Sequence, residues 1–362
     1  VLGLDIGGAN IKAATSDGDC VSRAFAIWQH KDALLQELMQ LPELSSKHYD
    51  LVALTMTAEL ADCFENKSEG VEFIVRTVAE AFPDSVLRVW TTSGEFVEPG
   101  DAIDLSNLVA AGNWHALATW AGRAVPVGPG LLIDIGSTTT DVIPLCDGIP
   151  VPEGFTDLHR LAYSELIYSG VRRTPVCAMV SAVPLAGPPD SETLHSPEPR
   201  FIPVAAEYFA TSLDVHLVNG QIQDDPQDQN TADHNPATRN AALNRLARMV
   251  CCDREEIADD ALEYMAQYIG DRQRSQISSA IDNRLQYLSH LTGTPPEAVQ
   301  ILLSGSGDWL ADRVLAESVR NFHLSPIRLR SMFIRNVSEA ACAFAVARLA
   351  AERCLADLLP IT

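Results

Sequence analysis

A hydrophobic run ending in Asp-Ile-Gly occurs twice in this chain, and the repetition limits what the chain can fold into. One copy is Leu131-Leu132-Ile133-Asp134-Ile135-Gly136-Ser137-Thr138-Thr139-Thr140-Asp141. The other opens the chain as Leu2-Gly3-Leu4-Asp5-Ile6-Gly7-Gly8-Ala9-Asn10-Ile11-Lys12. Each copy then returns to apolar residues and closes in a small turn, Ser16-Asp17-Gly18 or Cys146-Asp147-Gly148. An apolar run suits a buried strand, and a tip rich in glycine and hydroxyls suits a tight turn. Such a turn cradles a phosphate with backbone N–H and hydroxyl groups. Like charges repel, so Asp5 and Asp134 would hold a divalent ion rather than touch the phosphate. One Asp-Ile-Gly is a weak signal. Two, each in a strand–turn–strand context, predict related halves facing one phosphate site.

At 362 residues the chain can build two domains with sizeable cores. Residues 1–28 read as a hairpin plus a third strand, Val21 to Trp28. A helix follows over Lys31 to Leu41, then a strand over Asp50 to Thr57, a helix around Val71 to Ala79 and a strand over Val86 to Thr91. This pattern is an α/β half of 1–106. The second half, 107–362, starts with a helix over Asn113 to Ala121 and carries a helical insertion at about 152–299. Within that insertion a helix capped by Thr156 closes near Ser169-Gly170, and the Pro-rich stretch 185–200 reads as a loop. Glu207 to Leu217 reads as a helix with Glu207 and Asp214 on one face, and 221–239 as a polar loop. Three more helices are expected, Asn240 to Cys251, Asp253 to Ile269 and Ser275 to Leu291. A strand at Gln300 to Leu303 then runs into Ser304-Gly305-Ser306-Gly307 and a helix from Asp308. Strand, Gly-x-Gly and helix N-terminus face a phosphate in many folds. Ser338 to Leu358 is a final Ala-rich helix.

The net charge of −22, from 48 acidic and 26 basic residues, excludes nucleic acid and anionic membrane surfaces as general partners. An anionic substrate therefore needs local help from a cation or a helix N-terminus. Arg172-Arg173 beside a turn is either a solvated basic pair or an anion clamp, since arginine forks bind phosphate and carboxylate in bidentate fashion. No apolar run is long enough to span a membrane, and no signal-peptide pattern is visible. The eight cysteines are scattered, which fits reduced thiols in a cytoplasm.

These features together resemble the actin, hexokinase and heat-shock-chaperone ATPase superfamily, with its duplicated, ribonuclease H-like α/β fold around a phosphate-binding cleft. Finer phrases are similar to its hydantoinase/oxoprolinase branch: VLGLDIGGANIKAA, LTMTAELADCFENKSEGV, AAGNWHALATWAG, LLIDIGSTTTDVIPL, LIYSGVRRTPVCA and YFATSLDVHLVNG. Within that branch the chain resembles proteins linked to tetrahydromethanopterin-dependent one-carbon transfer, whose archaeal members are methanofuran-biosynthesis furanmethanamine synthases. The resemblance implies a transferase. It would join an aminomethylfuran-methyl diphosphate to the phenol oxygen of a tyramine- or tyrosine-derived acceptor and release diphosphate, giving a methanofuran- or methylofuran-type carrier.

That reading assigns phosphate binding to Gly7, Gly8, Asn10, Lys12, Gly136, Ser137, Thr138, Thr139, Gly305, Ser306 and Gly307. It assigns Mg²⁺ or another divalent ion to Asp5 and Asp134. Thr57, Lys67, Asn113, Trp114, Arg172 and Arg173 would bind substrate, and Glu59, Asp62 or Asp214 would take the phenol proton. Glu59 follows a strand end, where either a cleft residue or a helix-start acid is expected. Kinases of the superfamily usually carry Gly-Gly in the adenosine loop. Here Gly307 is followed by the bulky Asp308-Trp309, so ATP stays open as a ligand. An ATP-dependent small-molecule kinase and a nucleotide-binding actin-like regulator are the alternatives, and a homodimer is left open.

Overall fold

The computed structural model describes residues 1–41, 48–185, 200–318, 322–332 and 337–354. The first half builds one sheet from β1 (Leu2–Ile6), β2 (Asn10–Thr15), β3 (Cys20–Ala24), β4 (Leu51–Met56), β5 (Val86–Trp90) and β6 (Phe96–Val97). Its spatial order is β3-β2-β1-β4-β5-β6. The second half supplies β7 (Pro129–Ile135), β8 (Thr140–Cys146), β9 (Ile149–Pro150) and β10 (Leu166–Ile167). β11 (Ala182–Leu185) and β12 (Arg200–Pro203) form a separate ribbon, and β13 (Gln300–Ser304) and β14 (Ile327–Arg328) complete the set. The second sheet runs β10-β8-β7-β13-β14. The central strands of the two sheets match. β2 is antiparallel to β1 and β8 to β7, whereas β4 runs parallel to β1 and β13 to β7. This is the duplicated actin-like fold that the repeated motif predicts.

β1 and β4 are buried along their whole length, as strands covered on both faces must be. Leu2, Leu4 and Ile6 share a core with Val71, Ile74 and Val78 of the helix Lys67–Ala81. On the opposite face lies the final helix, Ala341–Arg353, which packs against β1, β2 and β4 although it closes the second half in sequence. Gly3 allows this approach. A Cβ there would sit 2.0 Å from the carbonyl oxygen of Ala343. The helix Asn113–Ala121 packs in turn on the final helix. The two share one buried cluster with Ala53 and Trp90 of the first sheet and Leu132, Ile143 and Leu302 of the second. The two sheets are therefore joined through a helix pair rich in alanine.

Several expected elements differ. The strand at Val21 stops at Ala24, and a one-turn helix, Ile27–His30, carries Trp28. The helix capped by Thr156 ends at Ala162, Ser164 adopts φ 59, and Leu166 and Ile167 then pair with Asp141 and Thr140. The next helix starts at Ser212 rather than Glu207, because Thr211 and Asp214 close a capping box, so Glu207 and Asp214 share no helical face. The segments around Asp253 to Ile269 and Ser275 to Leu291 merge into one helix of 34 residues, Asp259–Thr292. Gly270, inside it, does not break it. A Cβ there would come within 3.2 Å of the Asn219 side-chain amide, which donates to the Ala266 carbonyl at 3.0 Å. Most of the Pro-rich stretch, 186–199, and the final helix beyond Cys354 lie outside the described residues. No described helix is long and apolar enough to cross a membrane.

If the final helix is the second wall of the first sheet, Gly3→Val forces it off β1. Overpacking of this kind costs about 1–3 kcal/mol. A lower urea midpoint at unchanged m-value is expected; an unchanged midpoint would mean that the helix does not seat on Gly3.

Candidate active site

The two hairpin tips are built alike. The Gly7 amide donates to the Asn10 carbonyl at 2.9 Å, and the Gly136 amide donates to the Thr139 carbonyl, also at 2.9 Å. Register places Asp5 opposite Lys12 and Asp134 opposite Asp141. Both tips open on a single cavity of about 340 Å³. Gly7, Gly8, Asn10, Lys12 and Thr57 line it from the first half, and Gly136, Ser137, Thr138 and Thr139 from the second. Asp5, Asp134, Glu59, Asn113 and Arg173 line it too. A second cavity of about 240 Å³ continues past Lys12 and Asp134 to Arg172, Gly305 and Ser306. Asn113 and Ala341 begin their helices at the two cavities, so helix N-termini point at the place an anion would occupy.

The segment after β10 clamps the second tip. Val171 donates its amide to Gly136 at 3.0 Å, and Arg172 and Arg173 donate theirs to Ser137 at 3.0 and 2.9 Å. Gly170 is required there, because a Cβ would lie 2.5 Å from the Thr138 nitrogen. The pair of arginines is thereby fixed at the cleft. The Arg172 guanidinium pairs with Asp228, and that of Arg173 lies 5.6 Å from the ring centre of Trp28, across the cleft.

Burial dominates the electrostatics. The Lys12 ammonium lies 3.7 Å from Asp5, yet burial still holds the Asp5 carboxyl above its ordinary range. Burial, then the neighbouring Asp141, pushes Asp134 up to about 6. One oxygen of each, Oδ1, is buried with no hydrogen-bond partner among the described residues. Orphaned carboxylate oxygens of this type fit a hard divalent cation. No group of three or more metal-ligating side chains occurs among the described residues. Asp5 and Asp134 would suit an ion such as Mg²⁺, which takes one or two carboxylates and fills its other positions with phosphate oxygens and water.

Glu59 is 1% exposed, and burial pushes its carboxyl up to about 7. Its Oε2 has no partner among the described residues. The helix Lys67–Ala81 presses directly on its backbone, where a Cβ on Gly70 would fall 2.3 Å from the Glu59 carbonyl oxygen. Lys67 does not line the cavity, but its charge draws the Glu59 carboxyl down.

Besides Lys67, four expected residues lie elsewhere. Asp62 is exposed and lines neither cavity. Asp214 is buried in its capping box, accepting the Thr211 amide at 2.8 Å and the Arg245 Nε–H at 2.7 Å. It holds helices of the insertion together. Trp114 lies under the Arg160 guanidinium, 4.2 Å from its ring centre, and so forms a layer beneath the cavity wall. Gly307 is packed against Ile135 and Val171 and lines neither cavity. Asp308 and Trp309 are also absent from both walls; Asp308 faces Arg330 at 3.3 Å and Trp309 packs edge-on against His216.

Sequence reasoning missed Asp141, Arg160, Trp28 and Tyr168, all of which line the cavity. Asp141 had a signal, since it stands where Lys12 stands in the first copy. Arg160, buried and paired with Asp141, had none, because only the tertiary fold brings the capped helix to β8.

A model of the hydantoinase/oxoprolinase family matches residues 50–353. The chain belongs to the hydantoinase/oxoprolinase family. It is 31% identical over 352 residues, 96% of this chain and 97% of the other, to a (4-{4-[2-(gamma-L-glutamylamino)ethyl]phenoxymethyl}furan-2-yl)methanamine synthase of Methanocaldococcus jannaschii. A synthase of the same name from Methanococcus vannielii is 28% identical, covering 60% of this chain and 88% of that one. Solved structures with similar folds include an acetone carboxylase (TM-score 0.45, 12% identity), of which this chain spans about half, covering 93% of itself and 51% of that chain. An archaeal actin homolog in complex with ADP aligns at TM-score 0.43 and 16% identity, over 97% of this chain and 99% of that one.

In this family member the Glu59 environment has a consequence for stability. Below the ordinary glutamate pKa both folded and unfolded states hold the proton, and Glu59 has no effect. Between there and about 7 only the folded state holds it, so stability falls as pH rises; above about 7 the full cost stays constant. A shift of this size corresponds to about 3 kcal/mol. Glu59→Gln is therefore expected to gain stability over wild type between pH 5 and pH 8 by urea unfolding, and parallel pH curves would contradict the buried carboxyl.

Proposed function

We propose that this protein is a transferase of methanofuran-type carrier biosynthesis. It would condense an aminomethylfuran-methyl diphosphate with a phenol and release diphosphate. The name of the 31%-identical relative spells out a phenoxymethyl-furan ether, the product of such a condensation. The observation that carries the reading is one cavity lined by both kinds of group that the reaction needs. Lys12, Arg173 and the two Asp-Ile-Gly tips would bind the anionic leaving group, and Glu59, a carboxyl pushed up to about 7, lines the same cavity.

The chemistry follows from that lining. The furfuryl C–O bond to diphosphate breaks and its electron pair leaves with the diphosphate. Positive charge develops on the carbon next to the furan ring. A divalent ion held by Asp5 and Asp134 would neutralise charge on the leaving group. The tip amides, the hydroxyls of Ser137, Thr138 and Thr139, and the two arginines receive the diphosphate. The phenol oxygen attacks the carbon, forming the aryl ether, and its proton goes to Glu59. A carboxylate with a pKa near the working pH suits that task. Tyr168, whose hydroxyl is pushed up by burial and by Asp157, Glu59 and Asp141, lines the cavity near Glu59 and would flank the acceptor. The donor brings its own leaving group, so no nucleotide is consumed.

Glu59→Gln is expected to lower kcat by about 10²–10⁴, the range for removing a general base, with calorimetric binding of inorganic diphosphate plus Mg²⁺ unchanged. Asp134→Asn should show the reverse signature first, losing the Mg²⁺-dependent part of diphosphate binding. Wild-type turnover in Glu59→Gln would remove the proton acceptor from the scheme.

A further inference from the structure

A groove of about 700 Å³ adjoins the cavity and has no part in the chemistry above. Leu166 and Tyr168 line both, so the groove and the cavity meet at these two side chains. One wall is apolar, made by Leu161, Ile167 and Met179. The other is the polar side of the long helix, with Gln276, Ser279 and Arg272. From residue 272 to residue 283 that wall runs about 16 Å along the helix. Arg272 is exposed and forms no ion pair among the described residues, whereas most arginines of this acidic chain are paired. The groove lies at the Tyr168 end, beside the carboxylates. The anion-binding tips and Arg172 lie toward the other opening.

We propose that this groove seats the tail of the phenol acceptor, an extended polar chain ending in a carboxylate that Arg272 binds. The inference rests on the transferase reading and adds the part of the acceptor remote from the reacting oxygen. With the phenol at Glu59, the substituent opposite the hydroxyl must leave the cavity, and the groove meets the cavity at Leu166 and Tyr168. The apolar wall takes the methylenes of such a chain, the serine and amide side chains of the helix meet its polar links, and the guanidinium fork matches a terminal carboxylate. Arg172 and Arg173 then serve the diphosphate, and a separate cation serves the acceptor.

The test is steady-state kinetics with two acceptors, tyramine and tyramine extended by an amide-linked, carboxylate-ended chain. Arg272→Met should raise KM for the extended acceptor roughly tenfold to hundredfold, the loss of a hydrogen bond to a charged group. Its kcat, its KM for the diphosphate donor and its KM for tyramine should not change, and Arg272→Lys should recover part of the loss. Ser279→Trp, which fills the groove, should raise KM for the extended acceptor alone. Equal KM for the extended acceptor in wild type and Arg272→Met would overturn the groove assignment while leaving the transferase reading intact. If wild type forms no ether with either acceptor, the transferase reading fails. Calorimetric binding of the extended phenol then decides the groove by itself, weaker binding to Arg272→Met supporting it and equal binding refuting it.

Discussion

Uncompensated negative charge at the bottom of the cleft is the constraint on which the rest of the structure depends. Asp5, Asp134, Asp141 and Glu59 line one cavity, and burial raises the pKa of each. The protein supplies cations for two of them, Lys12 for Asp5 and Arg160 for Asp141. Asp134 and Glu59 keep buried oxygens without partners among the described residues. A buried charge is costly unless it is paired, so it is either protonated or matched by a ligand. Both outcomes fit the proposed chemistry. A protonatable Glu59 would accept a phenol proton near neutral pH, and Asp134 would be matched by a metal–phosphate complex.

The scaffold keeps these groups in place by close approach rather than by bulk. Gly3 admits the final helix, Gly70 admits the helix behind Glu59, and Gly170 lets the arginine segment lie on the second tip. The pair of helices Asn113–Ala121 and Ala341–Arg353 joins the two sheets through small residues, and each begins at a cavity. One set of contacts therefore spaces the sheets and aims helix N-termini into the cleft. The polar groups at its rim are tied to different halves. Trp28 comes from the first and Arg173 from the second, so their contact spans the cleft.

Much of this was legible in the sequence because the two hairpins are local. Strand, turn and register are set within about fifteen residues, and the matched Asp-Ile-Gly tips brought most of the expected residues that line the cavities with them. The strand end at Thr57 exposed Glu59 to the same reading. What stayed hidden depended on distant segments. Asp62 lies three residues from Glu59 on an exposed turn. Asp214 carries the same carboxyl but faces Arg245 inside the insertion. Trp114 starts a cleft-facing helix yet sits under Arg160, a partner 46 positions away. The two expected helices are one, Asp259–Thr292, and Asn219, 51 positions before Gly270, packs beside that glycine, which periodicity does not reveal.

The central claim is that the cleft drives ether formation with a diphosphate leaving group and without a nucleotide. The direct measurement is an end-point assay of purified protein with Mg²⁺, the aminomethylfuran-methyl diphosphate and a phenol acceptor, with no ATP present. Aryl ether is followed by mass spectrometry and diphosphate by a coupled assay. The account predicts ether and diphosphate in equal amounts. Ether formed only when ATP is added, or diphosphate released without ether, would contradict it.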